Sequence, residues 1–221
     1  EQIWGAIQEI LFAPKRSTYK FAFVQAIMNV SASRERTSFR LSEIFADMAA
    51  LYWKLLAKYP LRQTYRHARY AQSSAETVIL RALQETRGAA LTDLPDAQRK
   101  KICAAARAVF GRTVVGASYS NSHGVLFGFS KREDLLDLRP AAKRVLAERA
   151  GEISHIVETQ WLAMMEKIDP EAFPEPLAIR LRELKEEDER QNTEEDQPMP
   201  VDRPETAENS RGGLQQIQDY I

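Results

Sequence analysis

The chain has 221 residues, 44% of them hydrophobic, and its 31 basic and 31 acidic side chains give a formal net charge of +0. This is enough apolar material for one domain, or two small ones, with a real core, which excludes a peptide or a collagen-like chain. The longest near-apolar runs, Ile3 to Ala13 and Met48 to Leu56, are about half a bilayer span and carry polar residues, so no membrane crossing is expected.

The N-terminus, at Glu1, has neither a Met nor the charged-then-apolar layout of a signal peptide, and the chain is read as cytoplasmic. Ile3, Ala6, Ile7, Ile10 and Leu11 recur at helical spacing before Pro14 stops the pattern. Ser17 or Thr18 then caps a helix through Tyr19, Phe21, Phe23, Ile27 and Val30 that is apolar on more than one side, as a central helix would be. After a polar stretch from Ser31 to Arg40, Ser42 is expected to cap a helix running to about Lys58, closed by Pro60.

Residues 61–74 are basic and irregular, and a helix from Ser74 to Gly88 follows. Asp96 reads as the N-cap of a helix to Phe110, with Gly111 as its stop signal. Thr113–Val115, the turn-rich Ser118–Gly124 and Val125–Phe129 then read as a short hairpin. Helix, turn, helix and hairpin is the order of a winged helix-turn-helix, although the connection of roughly eight residues is longer than the usual tight turn. Pro140 starts a further helix, and Ile153, Val157, Trp161 and Met165 form a strong stripe before Pro170. A last helix runs from Leu177 to about Glu189. Residues 188–213 contain only Met199, Val201 and Ala207 from the apolar set, a composition that does not offset the entropy of ordering.

Charge is distributed unevenly. Residues 1–150 hold 24 Lys+Arg against 13 Asp+Glu, and residues 151–221 hold 7 against 18. Residues 51–112 alone carry 12 cations against Glu76, Glu85, Asp93 and Asp96, a local excess that attracts a polyanion. The candidate nucleic-acid-binding residues are Arg62, Arg66, Arg69, Arg99, Lys100, Lys101, Arg107, Arg112, Lys131 and Arg132. Converged on one surface, they would make a phosphate-tracking patch with salt-dependent affinity.

Other chemistries find less support. The single cysteine, Cys103, leaves no internal disulfide and no multi-cysteine zinc site and fits a reducing compartment. His67, His123 and His155 lie in three separate segments without metal-ligand spacing. Glu152, His155 and Glu158 share a helix face at i, i+3 and i+6, where a solvated, weakly paired surface is the simpler account. Glu183-Leu184-Lys185 has the Glu-x-Lys form of some nuclease strands but sits in a charged helical pattern. Serines around His123 suit a turn for backbone reasons, and neither glycine-rich phosphate fingerprint occurs. Trp53 and Trp161 lie in apolar stripes and are assigned to packing.

Ser17-Thr18-Tyr19-Lys20-Phe21-Ala22-Phe23 with Ala26-Ile27, then Leu41-Ser42-Glu43-Ile44-Phe45 leading to Tyr52-Trp53, then Tyr59-Pro60-Leu61-Arg62-Gln63, and finally Trp161 through Asp169 follow one another in order. Together, over about residues 2–183, they resemble the N-terminal region of bacterial HNH endonucleases of the restriction or defence type. The resemblance implies a helical N-terminal module followed by a ββα-metal nuclease domain, with a divalent metal expected only in that second domain. These 221 residues contain no Asp-His or His-His pair and no Cys-x-x-Cys, and Met165-Glu166 and Asp169 stand where the resemblance implies Leu-Glu and Asn. No catalytic residue is carried over, and no cofactor is expected in this chain.

The expectation is therefore a mainly α, multi-helix domain over residues 1–187 with a small β-hairpin, winged helix-turn-helix-like, followed by a disordered acidic C-terminal tail over residues 188–221. Its expected partner is double-stranded DNA. The rival is a helical protein-interaction adaptor whose basic face meets an acidic partner or its own tail.

Overall fold

The computed structural model describes residues 1–13, 15, 17–65 and 74–195 and, of these, the side chains of all but 112, 113 and 191–195. The described residues are mainly helical. In chain order they form α1 (Gln2–Phe12), α2 (Tyr19–Ala32), β1 (Ser38–Arg40), α3 (Leu41–Lys58), α4 (Ala75–Glu85), a 3-10 turn (Leu91–Asp93), α5 (Asp96–Asn121), β2 (Phe127–Ser130), β3 (Leu135–Leu138), α6 (Pro140–Glu148), α7 (Ala150–Ile168) and α8 (Glu175–Glu195).

Helix α3 lies at the centre, packed against α2, α4 and α5. Its stripe of Ile44, Phe45, Met48, Tyr52, Leu55 and Leu56 is buried, as the i, i+3, i+4 spacing requires. Tyr52 is fully buried, with ring centroids 5.5 Å from both Phe110 of α5 and Trp161 of α7 and 5.9 Å from Tyr19 of α2. Tilted and edge-on contacts of this kind add about 0.5–1.5 kcal/mol each beyond the area they bury.

A buried polar network runs through this aromatic centre. The Tyr52 hydroxyl lies 2.5 Å from Thr18 Oγ1, which donates to Gln63 Oε1 at 2.8 Å, and Trp161 Nε1 donates to the same oxygen at 2.8 Å. Thr18 thus occupies the N-cap position of α2, as expected, but its hydroxyl points into the core and makes no cap bond to the helix. The Thr18 amide also donates to the Gln63 carbonyl at 3.0 Å. The segment after Pro60 is thereby held against the body, which satisfies groups that would otherwise be costly to bury.

The three strands form an antiparallel sheet in the order β1-β3-β2, with Phe39 opposite Leu136 and Phe129 also opposite Leu136. Phe39, Phe127, Leu136 and Leu138 are buried on one face. Ser38 bonds Asp137 on the other.

The structure revises several boundaries. Gly111 does not stop a helix at Phe110, and Thr113–Val115 is no strand: α5 continues for 26 residues to Asn121. Phe110, Val114, Val115 and Ser118 are all buried. Burying that stripe outweighs the roughly 1 kcal/mol that glycine costs a helix. The expected turn at Ser118–Gly124 is the end of this helix, where His123 N–H bonds the Ser120 carbonyl at 3.1 Å and Gly124 N–H bonds the Tyr119 carbonyl at 3.0 Å. Gly124, at φ +69°, suits this left-handed position, and a Cβ there would have to displace the Tyr119 ring, whose hydroxyl would lie 2.8 Å away. The hairpin is instead formed by β2 and β3 around residues 131–134.

Neither Asp96 nor Ser42 is an N-cap; Pro95 and Arg40 occupy those places. Residues 188–195, expected to belong to the acidic tail, are instead part of α8, which continues to Glu195. The remainder of that tail, residues 196–221, lies outside the described residues.

Candidate nucleic-acid interface

The first half of α5 buries Ile102, Ala106, Val109 and Phe110 and turns Lys100, Lys101, Ala104, Ala105, Arg107 and Ala108 outward. This follows from a 3.6-residue period in which, after Asp96 and Gln98 in the first turn, small and cationic residues occupy the outward positions. Three exposed alanines leave the helix backbone close to the surface, so a partner could approach it between the cations.

A groove of about 400 Å³ runs beside this face. Leu41 and Phe45 of α3 form one wall, Ala104, Ala108, Gly111 and Val115 of α5 the other, and Arg107 and Lys131 add positive charge. Lys131 belongs to the turn between β2 and β3, so two cations 24 positions apart in the chain line one groove.

Asp134 holds this corner together. Its backbone carbonyl accepts from Leu41 N–H at 2.9 Å, its carboxylate accepts from Ser42 N–H at 3.1 Å and Ser42 Oγ at 2.5 Å, and Arg107 pairs with it at 2.7 Å. The carboxylate thereby satisfies an orphan donor at the α3 N-terminus, where negative charge is favoured. Asp134 adopts φ 55°, a left-handed conformation that Asp tolerates better than most residues. Its contacts span 92 and 27 positions, so no local sequence pattern could indicate them.

The predicted cations divide into groups. Arg99 and Lys100 pair with Asp96 one turn earlier, at 2.7 and 2.6 Å, Arg107 with Asp134, and Arg62 lies 3.7 Å from Asp169. These side chains remain 41–77% exposed, so such pairs hold them only weakly. Lys101, Lys131 and Arg132 are exposed and form no ion pair among the described residues. Arg112 falls within α5, but its side chain lies outside the described ones, as do Arg66 and Arg69 entirely. Lys100, Lys101, Arg107, Lys131 and Arg132 therefore come from α5 and the adjoining hairpin turn, whereas Arg62 is directed to Asp169 beyond α7. The sequence reading missed Leu41, Phe45 and Asp134; the alternation of alanine with lysine and arginine along α5 was the available signal for the rest.

The other weighed constellations do not converge. Glu152 pairs with Arg149, His155 with Asp188 and Glu187, and Glu158 with Arg180, so the three side chains serve three different contacts. Glu183 and Lys185 lie on α8, and Leu184 between them is buried. Trp53 and Trp161 are buried, as packing requires. Burial pushes the Cys103 thiol up, away from the reactive thiolate form. Among the described residues, no group of three or more His, Cys, Asp or Glu could hold a metal ion, and no helix is long and apolar enough to cross a membrane.

Compared with known proteins, the chain matches no family model, no curated sequence and no solved structure.

Proposed function

We propose that this chain is a duplex-DNA-engaging module of winged-helix character, acting in the cytoplasm as the N-terminal regulatory part of an HNH-type endonuclease. Its cleavage chemistry, with its divalent metal, belongs to a domain outside these 221 residues. The observation that carries the reading is the shared groove of Arg107 and Lys131, which unites the long helix and the hairpin turn as one cationic corner. The strand order β1-β3-β2, with helices between β1 and β2, supports it, because winged helices likewise place a helix and a hairpin side by side.

In this reading Lys100, Lys101, Lys131 and Arg132 draw in the phosphates, and the alanine-rich face of α5 lets the helix approach the duplex. A gel-shift titration of the full chain at two salt concentrations tests it. Affinity should fall steeply with salt, and Lys100→Glu/Lys101→Glu should weaken binding and reduce the salt slope by about two. Binding that is absent, or indifferent to salt and to both substitutions, overturns it.

The adaptor reading has an observation of its own: the groove walls are apolar, with Leu41, Phe45 and Val115 among them. It predicts saturable binding of an acidic amphipathic peptide, with no binding of duplex DNA.

A further inference from the structure

Between Lys100 and Ala108 the exposed positions of α5 are Lys100, Lys101, Ala104, Ala105, Arg107 and Ala108. No Asn, Gln, Asp or Glu stands among them, so this face lacks the amides that recognise adenine and the carboxylates that accept from cytosine. What it offers a base edge is positive charge and methyl groups. Lys101, Ala104 and Ala108 recur at i, i+3 and i+7 and share one line along the helix. Ala104 and Ala108 also line the groove edged by Arg107 and Lys131, so their methyls are flanked by cations from two separate elements.

In the major groove the thymine C5-methyl is the apolar group that a base pair presents, beside hydrogen-bond donors and acceptors. We propose that α5 selects thymine-containing duplex by packing the methyls of Ala104 and Ala108 on thymine C5-methyls, while Lys100, Lys101 and Lys131 hold the flanking phosphates. This selectivity rests on the duplex-binding reading above and names the class of sequence that the same face takes. The spacing suits it. Four residues advance about 6 Å along a helix, close to two base-pair steps of roughly 3.4 Å. A longer side chain at either position would hold the helix axis away from the base edges, whereas alanine lets its Cβ come into contact. Each methyl removed from water is worth roughly fourfold in affinity, so one or two of them give about four- to fifteenfold.

Paired titrations of the full chain decide the matter. One fluorescent duplex carries a central run of thymines, and a second is identical but for deoxyuridine at those places. Deoxyuridine keeps the donors, acceptors and charge of thymine and lacks the methyl. The thymine duplex should bind about four- to fifteenfold more tightly. Ala104→Ser/Ala108→Ser, at two exposed positions, should bring that ratio close to one and leave the salt slope of binding unchanged. Equal affinity for the two duplexes, with steep salt dependence retained, overturns the methyl contact and leaves the duplex-binding reading standing. A ratio that survives both substitutions overturns the assignment to Ala104 and Ala108. If neither duplex binds at any salt concentration, the duplex-binding reading fails and the selectivity falls with it.

Discussion

Arg107 and Asp134 meet at 2.7 Å across the corner where α5, the start of α3 and the hairpin turn come together. The pair directs a predicted phosphate-binding cation toward an acid that also bonds Ser42. Asp134→Asn keeps a side chain suited to φ 55° and removes the charge. Duplex affinity should rise about two- to fivefold, the equivalent of the ~0.5–1 kcal/mol of a half-exposed pair, while the melting temperature falls by a few degrees because the α3 N-terminus loses its negative charge. Titration of wild type and variant at one low salt concentration checks this, and weaker binding by the variant would count against Arg107 as a DNA contact.

The Arg180–Glu158 pair is of another kind. Its two bonds of 2.9 and 3.0 Å join α8 to α7, and the side chains are 11% and 4% exposed. Glu158→Ala leaves a guanidinium in the interface with Glu183 at 3.7 Å and Glu187 at 4.0 Å as weaker partners. We expect a loss of about 3 kcal/mol in denaturant unfolding. Replacing both partners by apolar residues of similar volume should recover most of it.

Burial raises the pKa of Glu76, which accepts from Thr64 Oγ1 at 3.0 Å. A carboxyl whose folded value lies above its unfolded one contributes stability that is present below the unfolded value, about 4.3, and lost as pH rises through the folded value. Glu76→Gln has no such loss. The difference in melting temperature, variant minus wild type, should become more positive between pH 4 and pH 7. Asp47, also raised by burial, is common to both proteins and cancels in that difference. A difference that is flat with pH would contradict the burial argument.

Gly124 closes α5 where a Cβ would lie 2.8 Å from the Tyr119 hydroxyl. Gly124→Ala must adopt φ +69° and displace that ring, which packs on Phe129 at 5.3 Å. A cost of about 1–2 kcal/mol is expected from the backbone alone. Thermal unfolding measures it.

The helices that carry a clear apolar stripe between Pro or Gly markers were legible in the sequence. The span of α2 follows from its all-round apolar pattern and that of α7 from Ile153, Val157, Trp161 and Met165, all buried. The second half of α5 was not legible, because β-branched Thr113, Val114 and Val115 after Gly111 have strand-like local preferences, which the burial of Val114 and Val115 in the helical core overrides. The three-residue strand at Phe39 has no local signal and exists through its pairing with Leu136. At the candidate site the cations were visible as composition. The pairing of Asp96 with Arg99 and Lys100 follows ordinary helical spacing, whereas Arg62 with Asp169 and Arg107 with Asp134 required the fold.

The strand pairing has a consequence for synthesis. Because β1 bonds β3 and not β2, residues 38–40 and 127–130 have no strand-to-strand contact until residues 135–138 arrive to sit between them. During translation the first strand waits with an open edge while nearly a hundred residues emerge. Such distant closure slows folding relative to the local helices. A nascent chain halted at residue 130 would carry two of the three strands and no sheet.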